Sequence, residues 1–182
     1  IGRPGKFGKA VQIAEATTNL IVNPSFETGD LSGWGSWGIP PTKKVISTDA
    51  VYGAYCLRLV TDGNNQGITF SIPCVVGTSY TWSLYVKVLS GRPYVFIYDA
   101  MGGMAGWEAP SEWAGDGEWH RVSQTFVARY TTESLYIGKS GSGVIGEYLF
   151  DAIQVEAKAY PTPYCDGSLG PGHSWSGTAH AS

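Results

Sequence analysis

Between residues 19 and 157 the chain alternates apolar and polar residues over short runs, and clusters of Gly, Pro, Asn and Asp break those runs apart. A period of two belongs to strands with one face buried and one face wet. The runs fall at residues 45–47, 55–61, 67–72, 79–89, 92–99, 119–128, 134–139 and 148–155. No stretch sustains an apolar i, i+3, i+4, i+7 pattern, so little helix is expected. Short strands at this density predict an all-β, two-sheet β-sandwich with jelly-roll topology, for which an up-and-down barrel is the structural competitor.

The flanks have another character. Residues 1–18, IGRPGKFGKAVQIAEATT, carry no convincing period and read as an N-terminal arm or linker. Residues 158–182 are rich in Pro, Gly and Ser and read as a C-terminal arm or linker. The expected domain is therefore residues 19–157. The chain opens on Ile1 and closes on GTAHAS, which suggests a piece of a longer polypeptide.

Charge and cysteine content narrow the function. Twelve Lys+Arg against 15 Asp+Glu give a net charge of −3, which leaves no basic field for nucleic acid or an anionic membrane. No apolar run approaches the roughly 18 to 20 residues of a membrane span, and the chain reads as soluble. Cys56, Cys74 and Cys165 lie far apart, without metal-finger spacing. Cys56 and Cys74 fall in apolar runs and read as small core residues, with a bridge between them as the alternative. The chain also lacks a nucleophile elbow, an HExxH motif, a phosphate loop and a dinucleotide fingerprint, so no enzymatic activity is expected.

Five segments carry a family resemblance, in order. Residues 19–27, NLIVNPSFE, with Gly33 and Trp34 behind them, resemble the opening of the jelly-roll carbohydrate-binding modules attached to xylanases and cellulases. Residues 51–59, 77–87, 117–123 and 147–155 resemble that family's later strands. The resemblance implies a non-catalytic domain that binds a polysaccharide or cell-surface glycan. It also implies a structural calcium ion held by Glu27 and Asp151, with carbonyl oxygens of Gly53 or Ala54 as further donors. Two carboxylates plus carbonyls suit a hard cation that takes six to eight oxygens. Trp34 and Trp119 match packing positions of the family. The flanking arms resemble segments around such modules in bacteriophage tail and virion-surface proteins. That second resemblance implies a host-attachment or structural virion component, assembling as a homo-oligomer or with other virion proteins. The expected location is extracellular or on a virion surface.

A glycan site needs aromatic faces for pyranose rings and planar polar groups for hydroxyls. In residues 80–87 the apolar set Tyr80, Trp82, Leu84 and Val86 is expected inward, leaving Tyr85 outward. In residues 92–99 the β-branched Val95 and Ile97 are expected inward, which turns Arg92, Tyr94, Phe96 and Tyr98 outward. Such a row fits a ligand cleft. It also fits an inverted parity, or a face covered by a loop or a subunit. The long connection 99–118 is expected as a functional loop bearing Trp107 and Trp113, either at the cleft lip or folded back onto the sheet. Trp37, in a Gly-Ser-Trp-Gly context, completes the candidate ligand-binding set.

Overall fold

The computed structural model describes residues 15–99, 101–139, 145–165 and 173–175. Its strands are β1 (Thr17–Asn19), β2 (Gly35–Trp37), β3 (Thr42–Ile46), β4 (Cys56–Thr61), β5 (Gln66–Pro73), β6 (Ser79–Ser90), β7 (Tyr94–Asp99), β8 (Gly102–Glu108), β9 (His120–Val127), β10 (Thr132–Lys139), β11 (Gly146–Glu156) and β12 (His173–Trp175). Two five-stranded antiparallel sheets pack face to face as a jelly-roll sandwich, one ordered β2-β5-β10-β7-β8 and the other β3-β4-β11-β6-β9. No helix among the described residues is long and apolar enough to cross a membrane.

The alternation explains the core. Ile68, Phe70 and Ile72 of β5, Leu135 and Ile137 of β10, and Val95 and Ile97 of β7 turn inward from the first sheet. They meet Leu57 and Leu59 of β4, Trp82, Leu84 and Val86 of β6, and Tyr148 and Phe150 of β11 from the second. Fully burying one such side chain contributes about 1.5–3 kcal/mol. The three cysteines are buried, and Cys56 and Cys74 are not bridged to each other. Burial pushes the Cys56 thiol up to about 12 and the Cys74 thiol up to about 11, so both stay protonated and act as apolar filler.

One irregularity locks the N-terminus into the sandwich. The register of β11 shifts between Asp151 and Gln154, where Ala152 adopts a positive φ of 50°. This bulge frees backbone groups that the ladder would otherwise use. The Ile153 N–H donates to the Pro24 carbonyl at 2.9 Å, and the Asn19 side-chain amide donates to the Ile153 carbonyl at 2.9 Å. Asn19 Oδ1 accepts from the Val155 and Ile21 N–H groups, each at 3.1 Å.

The segment after β11 departs from expectation. Residues 157–165 do not leave the domain but cross the outer side of the second sheet. They hang on the fully buried Glu156. Its carboxylate accepts from Thr17 Oγ1 at 2.6 Å, Thr162 Oγ1 at 2.7 Å, and the Thr162 N–H and Gln154 Nε2 at 2.8 Å each. Thr81 Oγ1 donates to the Lys158 carbonyl, Thr125 Oγ1 to the Ala159 carbonyl, Arg121 to the Thr162 carbonyl, and the Cys165 N–H to Gln154 Oε1. Thr17 and residues 157–165 thus pack on the sandwich beyond the expected bounds of 19–157. β12 pairs in parallel with β1. The rest of both expected arms, residues 1–14, 166–172 and 176–182, lies outside the described residues.

Strands β1, β2, β8 and β12 were not anticipated. β8 replaces much of the expected loop 99–118 and forms a hairpin with β7. Its sequence, GGMAGWE, holds no alternation and little β propensity, so the pairing comes from the neighbouring strand.

Removing the Glu156 carboxylate leaves its hydroxyl, amide and N–H donors without their common acceptor. Glu156→Ala is expected to cost about 3 kcal/mol in denaturant titration and to open residues 157–165 to limited proteolysis. A loss well under about 1 kcal/mol would contradict this role for the strap.

Candidate functional site

The outer side of the first sheet can be read row by row from its register. Trp37 of β2 lies opposite Gly67 of β5, which lies opposite Gly138 of β10, then Tyr94 of β7 and Glu108 of β8. The next row runs Gly35, Thr69, Tyr136 and Phe96, and the next Ser71, Ser134, Tyr98 and Gly103. All alternate with the inward set, so these side chains share the outer face. Parity is as expected and not inverted: Val95 and Ile97 are in the core, and Tyr98 is 46% exposed.

The rings on this face form one contact network. Trp37 meets Phe96 at 5.4 Å and Tyr136 at 5.1 Å, nearly perpendicular to both. Phe96 and Tyr136 stack at 5.1 Å with 19° between planes, and Tyr98 meets Tyr136 edge-on at 5.7 Å. Tyr94 meets Phe96 at 5.1 Å. Spacings of this kind lie within the favourable range for aromatic pairs and fix the rings in place before any ligand arrives.

Glycine makes the arrangement fit. A Cβ at Gly67 would stand 2.0 Å from the Ile137 carbonyl oxygen, and one at Gly138 would stand 2.0 Å from that of Gln66. The paired absence of side chains leaves a clear floor between Trp37 and Tyr94. At the sheet edge, a Cβ at Gly106 would lie 2.1 Å from the Tyr94 hydroxyl oxygen, so that ring lies close over β8.

Not every expected residue comes to this face. Tyr85 sits on the outer side of the other sheet, 5.7 Å from Tyr52, with the Arg121 guanidinium 6.0 Å from its ring centre. Parity assigns a side chain to one side of its strand but does not say which sheet the strand joins. Trp107 lies opposite Val95 and turns to the core, where Trp113 packs against it at 5.8 Å. Trp113 also stacks on His120 at 3.8 Å. Both tryptophans thus fold back onto the sandwich, away from the aromatic row. Trp34 packs against the core and meets Phe26 and Phe70. Tyr136 escaped the sequence analysis, although its alternation with Leu135 and Ile137 was the available signal. Arg92 stands at the Tyr94 end, bound to the Ala109 carbonyl at 2.7 Å and to Glu108 at 3.0 Å.

Glu27 and Asp151 converge elsewhere, on the turn 51–55. Glu27 accepts from the N–H groups of Ala54, at 2.9 Å to one oxygen and 3.0 Å to the other, and of Tyr55 at 3.0 Å. Gly53 has φ +69°, and a Cβ there would meet the Glu27 carboxylate at 2.3 Å. Asp151 accepts from Val51, Tyr52 and Ala152 at 2.7, 2.9 and 2.6 Å. Burial pushes its carboxyl up to about 7 against those hydrogen bonds, and the Glu27 charge adds to the rise. Two close carboxylates, one wholly buried, form an environment whose charge a hard cation would offset. Among the described residues no third His, Cys, Asp or Glu joins them, so any remaining donors are carbonyls or water.

Comparison with solved structures agrees with this architecture. The CBM22-1 xylan-binding domain of Paenibacillus barcinonensis Xyn10C matches with a TM-score of 0.60 at 21% identity, over 81% of this chain and 99% of that one. TmCBM61 in complex with beta-1,4-galactotriose matches with a TM-score of 0.60 at 19% identity, over 77% and 99%. The enzymatically active domain of the bacteriophage CBA120 tailspike protein 4 matches with a TM-score of 0.57 at 13% identity, over 75% of this chain but 21% of that one. At such identities the likeness is one of fold, and the tailspike match brings no virion role with it. No curated protein sequence matches the chain. The family model described as carbohydrate binding domain matches residues 18–138, from β1 to the end of the aromatic-bearing strand β10, and by that match the chain belongs to the carbohydrate binding domain family.

Proposed function

We propose that this domain is a non-catalytic, extracellular carbohydrate-binding module that holds a polysaccharide or cell-surface glycan against the outer face of the β2-β5-β10-β7-β8 sheet. One observation carries the reading: Trp37, Tyr94, Phe96, Tyr98 and Tyr136 form a continuous ring network on the outer face of one sheet, with Tyr98 46% exposed. The apolar faces of pyranose rings stack on such surfaces, and the hydroxyls of Ser71, Ser134, Tyr94, Tyr98 and Tyr136 lie among the rings to meet sugar hydroxyls. Two of the similar solved structures supply sugars to begin with, one being a xylan-binding domain and the other a complex with beta-1,4-galactotriose.

The test is calorimetry against a panel that includes xylan and β-1,4-galactan. Trp37→Ala and Tyr98→Ala are each expected to weaken binding about tenfold or more, as truncation of a central aromatic contact does. Tyr85→Ala, on the far face, is expected to leave affinity unchanged. Absence of binding across the panel, or a loss in Tyr85→Ala matching that in Trp37→Ala, would overturn the reading.

The same proposal includes a structural calcium ion at Glu27 and Asp151, with carbonyls of the Gly53–Ala54 turn completing the donor set. Bound there, the ion would tie the N-terminal segment, the turn and β11 together, and its binding energy would add to folding stability. In scanning calorimetry at millimolar calcium, a chelator is expected to lower the melting temperature by roughly 5 °C or more. Glu27→Gln should melt lower and lose its response to the chelator. Identical melting with and without chelator would remove calcium from the account.

A further inference from the structure

The polar end of the aromatic row carries a charge imbalance. Glu108, opposite Tyr94, has both carboxylate oxygens taken: Oε1 accepts from Lys139 Nζ at 3.0 Å, and Oε2 pairs with Arg92 Nη2 at 3.0 Å. The Lys139 side chain is only 6% exposed. An ammonium so far from water requires an anionic partner, and Glu108 is that partner. Arg92 is then left in surplus, and the three groups together carry one positive charge. Among the described residues this is the one ion-pair set in which two cations share a carboxylate. On a chain with a net charge of −3 it stands out locally.

The geometry of Arg92 adds direction to the charge. Its Nε donates to the Ala109 carbonyl at 2.7 Å and its Nη2 meets Glu108, so the guanidinium plane is held at two points. The side chain is still 44% exposed, and guanidinium donors beyond those two remain to meet a ligand. Glu108 is engaged by two cations at once, and the guanidinium held beside it offers donors alone. That set suits an anion, and a planar fork suits a carboxylate.

We infer that the glycan bound on this face is acidic, with Arg92 reading the carboxylate of a uronic acid while the pyranose ring lies on Tyr94. Arg92 stands two residues before Tyr94, just ahead of β7, and its guanidinium meets Glu108, which lies opposite Tyr94. The C5 carboxylate projects from the edge of a uronate ring, so a ring stacked on Tyr94 presents it toward Arg92. The inference rests on the glycan-binding reading and narrows it to one class of sugar.

The experiment uses polygalacturonate, glucuronan and alginate, each beside its carboxyl-reduced counterpart, which keeps the linkage and removes the charge. Affinity electrophoresis and calorimetry are run on the unmodified protein, Arg92→Gln, Glu108→Gln and Trp37→Ala. The protein is expected to bind at least one acidic polymer about tenfold tighter than its reduced form, with the gap closing at about 0.5 M NaCl. Arg92→Gln should erase the gap, and Glu108→Gln, which adds to the local positive charge, should widen it. Trp37→Ala should weaken both forms together. Arg92 is half in solvent, so Arg92→Gln carries the test alone should Glu108→Gln fail to fold. Equal or weaker binding of the acidic forms, or a gap that survives Arg92→Gln, overturns the inference while binding of xylan or the reduced forms keeps the glycan reading. Binding of nothing in either panel overturns both.

Discussion

The buried carboxylate of Glu156 decides which side of this sandwich is available. A two-sheet fold buries its inner faces by alternation alone and leaves two outer faces to be dealt with. Glu156 gathers Thr17, Gln154 and Thr162 and so lays residues 157–165 across the second sheet. That outer face is consumed by the chain itself: Thr81 and Ser83 point outward yet are almost wholly buried. The first sheet receives no such cover from the described residues. Its outer face is left with aromatic rings that pack on one another and leave Tyr98 46% exposed, and a row of this kind at the surface marks an interaction surface.

The strand pattern made the architecture legible early. Residues 79–89 alternate regularly and 148–155 form a largely apolar run, so β6 and β11 emerge within a residue or two of their observed bounds. The inward assignment of Val95 and Ile97 follows from their branching, and it correctly turns Tyr94, Phe96 and Tyr98 outward. What sequence could not supply was the assignment of strands to sheets. Tyr85 and Tyr98 look alike by parity, yet one stands under the Arg121 guanidinium beside the strap and the other beside Tyr136. Strand order depends on long-range pairing, which a single sequence does not encode locally.

The remaining differences have local causes. β8 hides because GGMAGWE offers no alternation, and its glycines serve the backs of other residues, as Gly106 does for Tyr94. Trp107 reads as a loop residue until β8 is paired with β7, when its position opposite Val95 turns it to the core. Residues 157–165 look like linker by composition because their anchoring lies in hydrogen bonds to buried side chains and not in an apolar pattern. The Glu156 cluster shows how a Pro-rich segment can be held without a hydrophobic stripe.

The central claim is that the open aromatic face, and neither the strapped face nor the tryptophans at the β8–β9 connection, meets the glycan. The most direct measurement is a titration followed by the indole N–H resonances of the nitrogen-15-labelled protein, using any polysaccharide fragment shown to bind. The account predicts that the Trp37 resonance moves in step with binding while those of Trp34, Trp82, Trp107 and Trp113 stay in place. Movement at Trp107 and Trp113 with Trp37 unchanged would contradict it and shift the site to the β8–β9 connection.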